Sequence, residues 1–217
     1  MQFINLHTHS FSNDDSLLEI VNQYPWEFNE EVPQYSIGIH PWHINENRLT
    51  EDLNILQDKL LLNDCLALGE CGLDKRIEIP LNNQIEVFKQ QLELVQRTHK
   101  PIILHCVAAY QEVIEIKKEL NIQNPIIIHG FSKNNQVAKS LLDNGFYLSF
   151  GKYLLRNPDL ENVFNFAPID RIFLETDTIE ETIVEVYEKA SNVKNVNIED
   201  LKKNVMMNFN QVFKNKV

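Results

Sequence analysis

The stretch FINLHTH, residues 3–9, decides how the chain is read. In an extended segment, side chains two apart share a face. His7 and His9 then project together, while Leu6 and Thr8 face the other way. Two imidazoles on one face at the end of an apolar run form a candidate metal chelate. An H-x-H pair alone is a weak sign, so its meaning depends on what the rest of the chain supplies.

Six further runs rich in Ile, Leu and Phe read as strands: YSIGIH (35–40), LALGECG (66–72), PIILHC (101–106), PIIIHGF (125–131), FYLSFG (146–151) and RIFLETD (171–177). His40 ends the second run and Asp177 the seventh, while Glu70, His105 and His129 fall late in the third, fourth and fifth. Segment 82–98 sets Ile85, Phe88, Leu92 and Val95 on one helical stripe. Segment 133–143 stops before Gly145, and segment 197–213 opens on a capping Asn197 followed by acids. Strands alternating with helices imply a parallel sheet. An open sheet spreads its strand ends along a line, whereas a (β/α) barrel brings them to one rim, where its catalytic groups gather. The pattern predicts an α/β fold, a distorted TIM-like (β/α)8 barrel forming a single domain over residues 1–217. Seven strands are legible and the eighth is not located.

Imidazole with carboxylate oxygen suits Zn, Mn, Fe(II) or Co, and Mg less well. A satisfied core or surface histidine explains any one of His7, His9, His105 and His129, and a salt bridge or helix cap explains Glu70 or Asp177 alone. These readings do not explain all six at once. His99 falls at a predicted helix end, which accounts for it, while His43, in a loop, is left open. Cys71 follows Glu70 and Cys106 follows His105, so in regular strands both thiols point away from the ligands and read as buried structural cysteines.

The chain has 217 residues, 43% hydrophobic and 24% charged, which fits one sizeable folded core. Its formal net charge of −11 argues against a general nucleic-acid-binding surface. Three cysteines without close spacing read as reduced thiols. No signal peptide or membrane-length apolar run is visible. A cytoplasmic protein without membrane contact, and a monomer by default, is the expectation.

The chain resembles the TatD-type metal-dependent hydrolases of the amidohydrolase-like barrel superfamily. The resemblance rests on LHTH (6–9), GIHPW (38–42), ALGECGLD (67–74), KPIILHC (100–106), IIIHGFS (126–132), GFYLSFG (145–151) and FLETD (173–177), in that order. It implies a TIM-like barrel, two divalent metal ions and hydrolysis of a phosphodiester substrate, of which DNA is one candidate, by a metal-bound hydroxide. Carried over residue by residue, it gives His7, His9 and Asp177 to one ion and His105 and His129 to the other. Glu70 is shared between them, and His40 lies beside the site to orient substrate. Asp177 would hold the nucleophile and accept its proton. Asp74 and Glu175 are candidates to receive the second ring N–H of ligating imidazoles.

Three places depart from the family pattern. Ser10 and Phe11 stand where Leu-Asp commonly follows the first H-x-H. Val107 and Ala108 follow Cys106 in place of Arg and Asp, and TIEETIVEV (178–186) replaces a Pro-Tyr-Leu loop with a basic segment. The ligands are kept, while groups that hold a nucleic-acid backbone are not. Two other enzyme classes stay open. A PHP-type phosphoesterase would match LHTHSFSNDD but carries later histidines, and none follows His129 here. An amidohydrolase acting on a small molecule frequently has a carboxylated Lys where this chain offers Glu70. A non-catalytic metal-binding protein is the third alternative.

Overall fold

Short extended runs punctuated by helix caps produce eight strands and eight α-helices among the described residues. The computed structural model describes residues 1–213. The strands are β1 (Phe3–Thr8), β2 (Leu17–Gln23), β3 (Tyr35–Ile37), β4 (Cys65–Asp74), β5 (Ile102–Val107), β6 (Ile126–Ile128), β7 (Tyr147–Phe150) and β8 (Ile172–Leu174). The helices are α1 (Leu49–Lys59), α2 (Leu81–Val95), α3 (Tyr110–Glu119), α4 (Asn135–Asp143), α5 (Lys152–Arg156), α6 (Asp159–Phe166), α7 (Ile183–Lys194) and α8 (Ile198–Val212). By contacts they fall into two units, residues 1–21 with 127–213, and residues 22–126.

In the first unit β1 pairs in parallel with the start of β2, from Phe3 opposite Leu17 to Thr8 opposite Val21. β7 pairs with both β6 and β8, again in parallel. An isolated parallel bridge joins Thr8 to Asp177. The core is aromatic: Phe131, Phe150 and Phe164 meet edge to face in a chain. Each ring this buried contributes about 2–3 kcal/mol by apolar burial. Tyr187 on α7 fixes the helix to β1, its hydroxyl donating to the Ile4 carbonyl (3.1 Å) and accepting from the Ile4 N–H (3.2 Å). Asn197 caps α8 and Asn134 caps α4, each accepting from a backbone N–H three residues on.

In the second unit β4 lies between β3 and β5, all parallel. The buried stripe of α2 runs through Gln84, Val87, Phe88, Gln91, Leu92 and Val95. Ile85, expected on that stripe, is only half-buried.

The unlocated strand is β2. It follows β1 after residues 9–16, which contain no helix. Parallel strands are ordinarily joined by a dozen or more residues, usually a helix. The strand is also interrupted by Glu19, Asn22 and Gln23, all buried, so it lacks the apolar run of its neighbours. Several regular strands, β3, β6 and β8 among them, are shorter than the apolar runs that contain them. His40, His129 and Asp177 stand beyond the ends of β3, β6 and β8, not within them. Among the described residues, no helix is long and apolar enough to cross a membrane.

Candidate metal centre

In the first unit the backbone builds the site before any side chain does. Asp177 has a left-handed backbone, φ 56°. Its N–H donates to the His7 carbonyl (2.9 Å), and its carbonyl accepts from the His9 N–H (3.3 Å). The carboxylate therefore arrives beside both imidazoles, its Oδ1 lying 3.7 Å from His7 Nε2 and 3.5 Å from His9 Nε2. Asn5 and Thr176 stitch the same two segments together. Asn5 Nδ2 donates to Thr176 Oγ1 (2.9 Å), and the Thr176 N–H donates to Asn5 Oδ1 (3.0 Å). The His7 and His129 rings have centroids 4.5 Å apart. One ligand atom each from His7, His129 and Asp177 lies within 4.8 Å of the others.

His129 is oriented from behind by Glu175, whose Oε1 lies 3.4 Å from Nδ1 and accepts from the Gly130 N–H at 2.6 Å. Burial pushes the Glu175 carboxyl up. The His129 ring beside it, with His7 and Ser149, more than offsets that and holds it below the ordinary carboxylate range. A carboxylate facing Nδ1 favours the tautomer protonated on that nitrogen.

In the second unit His40, Glu70 and His105 form a comparable group, with ligand atoms again within 4.8 Å. Glu70 Oε1 lies 2.9 Å from His105 Nδ1 and 3.1 Å from His40 Nε2. The far nitrogen of His105 lies 3.4 Å from Asp74 Oδ2, which also accepts from the Trp42 indole N–H at 2.8 Å. Burial pushes the Asp74 carboxyl up, but Trp42, the Arg76 backbone N–H and the His105 ring outweigh it, so it too sits below its ordinary range. His40 differs from the other rings. Its Nδ1 accepts from the Trp42 N–H (3.1 Å), which in the neutral ring leaves the proton on Nε2, facing Glu70. His40 is thus set up as a hydrogen-bond donor.

Sequence reading did not find the polar residues that support this group. Gln91 on α2 clamps the residue before His40, accepting from the Ile39 N–H (2.7 Å) and donating to the Ile39 carbonyl (3.1 Å). Gln84, on the same helix face, accepts from the Asp74 N–H and donates to its carbonyl. Asn22 on β2 accepts from the Glu70 N–H at 2.7 Å. Two glutamines on an otherwise apolar helix stripe were the available signal. Gln91→Met keeps the volume but leaves the Ile39 N–H and carbonyl unpaired. It is expected to cost about 2 kcal/mol in urea unfolding.

The cysteines stay out of both groups. All three are buried and free of disulfides. Burial pushes the Cys106 and Cys65 thiols up to about 12 and raises Cys71 further. Strict strand alternation does not hold around Glu70, because the β4–β5 register shifts between Leu68 and Cys71. His99 and His43 are exposed. His43 packs edge-on against Tyr24 and Trp26.

Imidazole nitrogens and carboxylate oxygens at these separations are the donor set that borderline divalent ions take. The residues present therefore fit a metal. The family model described as TatD related DNase matches residues 2–214. The chain belongs to the TatD family. A curated relative, the uncharacterized metal-dependent hydrolase YcfH of Escherichia coli K12, is 32% identical over 149 residues, 66% of this chain and 55% of its own length. This TatD chain thus spans about half the length of that relative. The crystal structure of YjjV, a TatD homologue from E. coli K12, superposes with a TM-score of 0.83 at 20% identity, covering 98% of each chain. A TatD family hydrolase from Entamoeba histolytica gives 0.83 at 17%, covering 99% of each. At these identities the likeness shows the fold. It is eight parallel strands, neighbours in chain order, in a nearly closed TIM-type barrel, as the strand-end pattern predicts.

Proposed function

We propose that the chain is a metal-dependent phosphodiesterase holding two divalent ions through His7, His9, Glu70, His105, His129 and Asp177. The observation that supports this most is an imidazole–carboxylate triad within each unit, His7–His129–Asp177 in the first and His40–Glu70–His105 in the second. Orienting carboxylates behind His129 and His105 add to it. The division of ligands is the one the family resemblance implies, with Glu70 shared. The ions are drawn from Zn, Mn, Mg, Co and Fe, and DNA is one substrate of the class. The buried, reduced thiols support a cytoplasmic setting.

When bound, such ions supply Lewis acidity and lower the pKa of water toward about 7. The chain's own groups do the rest. Asp177 orients the attacking water and accepts its proton. The bond from that oxygen to phosphorus forms as the ester P–O bond breaks, and the departing alkoxide takes up a proton from solvent, which in turn regenerates Asp177 by accepting the proton it holds. His40 orients the substrate: were Glu70 engaged in holding metal, the Nε2–H that faces it here would turn to a phosphoryl oxygen and fix its direction.

Metal content and turnover test this together. Protein purified without chelator is expected to carry two metal equivalents. Its hydrolysis of bis-p-nitrophenyl phosphate should fall at least ~100-fold on chelation and return with Mn or Zn. Fewer than two equivalents in excess metal rejects the two-ion site. Turnover confined to amides or lactones moves the chain to the amidohydrolase class.

A further inference from the structure

The helix-free crossover between β1 and β2 frames a pocket of about 530 Å³. Its lining includes Asn5, His9, Asp14, Glu19, Thr176 and Asp177, so it opens beside two of the residues assigned to metal. Among the described residues, no lysine or arginine lines it. Most of its polar groups are already engaged. Asn5 and Thr176 bond each other, Thr182 caps α7 in a reciprocal bond with Glu185, and Asp14 accepts from the Ser16 N–H.

Glu19 is different. It is only 9% exposed, and one oxygen, Oε2, accepts from the Ser12 N–H (2.9 Å) and the Ser12 hydroxyl (2.6 Å). The other oxygen meets no donor or cation among the described residues. A mostly buried carboxylate whose second oxygen opens only onto this pocket is incompletely solvated and has no counter-charge, and the two hydrogen bonds are made to the other oxygen. A positively charged group entering the pocket completes the pairing. A nucleic-acid phosphate in the same place would meet Glu19 and Asp14 with no protein cation beside them.

We propose that this pocket receives a primary ammonium group carried on one ester arm of the substrate, with Glu19 as its counter-ion and specificity-determining residue. The inference rests on the phosphodiester reading above and narrows it to small aminoalkyl phosphodiesters.

Two measurements separate it from that reading. The first compares metal-loaded protein on 2-aminoethyl and ethyl 4-nitrophenyl phosphate. The second compares binding of 2-aminoethylphosphonate and ethylphosphonate by calorimetry, which needs no turnover. The amine is expected to gain at least ~10-fold in kcat/KM and in affinity, the scale of one hydrogen bond to a charged group. Glu19→Gln keeps an acceptor for Ser12 and removes the charge, so both ratios should fall to about one. An amine preference in binding without hydrolysis of either ester keeps the pocket assignment and rejects the phosphodiesterase. Hydrolysis of both esters with no amine preference overturns the pocket assignment and leaves the phosphodiesterase standing. A preference that survives in Glu19→Gln, or no binding of either phosphonate, also overturns it.

Discussion

Asp177→Asn is expected to lower turnover on bis-p-nitrophenyl phosphate by about 10³-fold while the chain stays folded. The substitution suits the backbone, because asparagine is among the few residues that accept the left-handed region, and Asp177 sits at φ 56°. The two backbone hydrogen bonds that tie it to His7 and His9 do not involve its side chain. What changes is the group 3.5 Å from His9 Nε2 and 3.7 Å from His7 Nε2. An amide oxygen there carries no charge and cannot accept the proton of water. Steady-state kinetics on metal-loaded protein, read beside thermal unfolding, check the result. A rate within tenfold of wild type removes Asp177 from the chemistry. Asp177→Ala is a poorer test, since alanine adds strain at positive φ.

Gly72→Ala should damage the fold and the site together. Gly72 lies opposite His105 in the β4–β5 ladder, at φ 139°. A methyl group there would overlap the His105 carbonyl oxygen and come within 2.9 Å of Leu104 Cδ1. The strands must part or the residue must leave its conformation. A loss of about 3 kcal/mol is expected from steric overlap combined with backbone strain. For a chain of this size that lowers Tm by about 6–12 °C. Because the displaced backbone belongs to His105, metal content should drop in the protein that remains folded. A Tm within about 2 °C of wild type would show that the ladder accommodates the methyl group freely.

These two residues differ in how they could be found. Asp177 was legible as an acid closing an apolar run. Gly72 lies inside one, and only its pairing with His105 shows why a side chain is excluded there. The same divide runs through the rest of the site. Candidate ligands were visible because His and carboxylates stand out at the ends of apolar runs, and that signal is local. Gln84, Gln91 and Asn22 were not, because each acts on a backbone segment distant in sequence.

By itself the sequence determined seven of the strands, the cap at Asn197, and which imidazoles and carboxylates are candidates for the site. Each follows from periodicity or residue chemistry within a few positions. Tertiary structure decided the remainder. It placed β2 after a crossover too short for the usual helix, and it put His40, His129 and Asp177 past their strand ends. It also fixed the His40 proton on Nε2 through a bond to the Trp42 N–H, and left Glu19 buried without a cation. Those outcomes depend on hydrogen-bond partners and burial, which exist only once separate segments have packed.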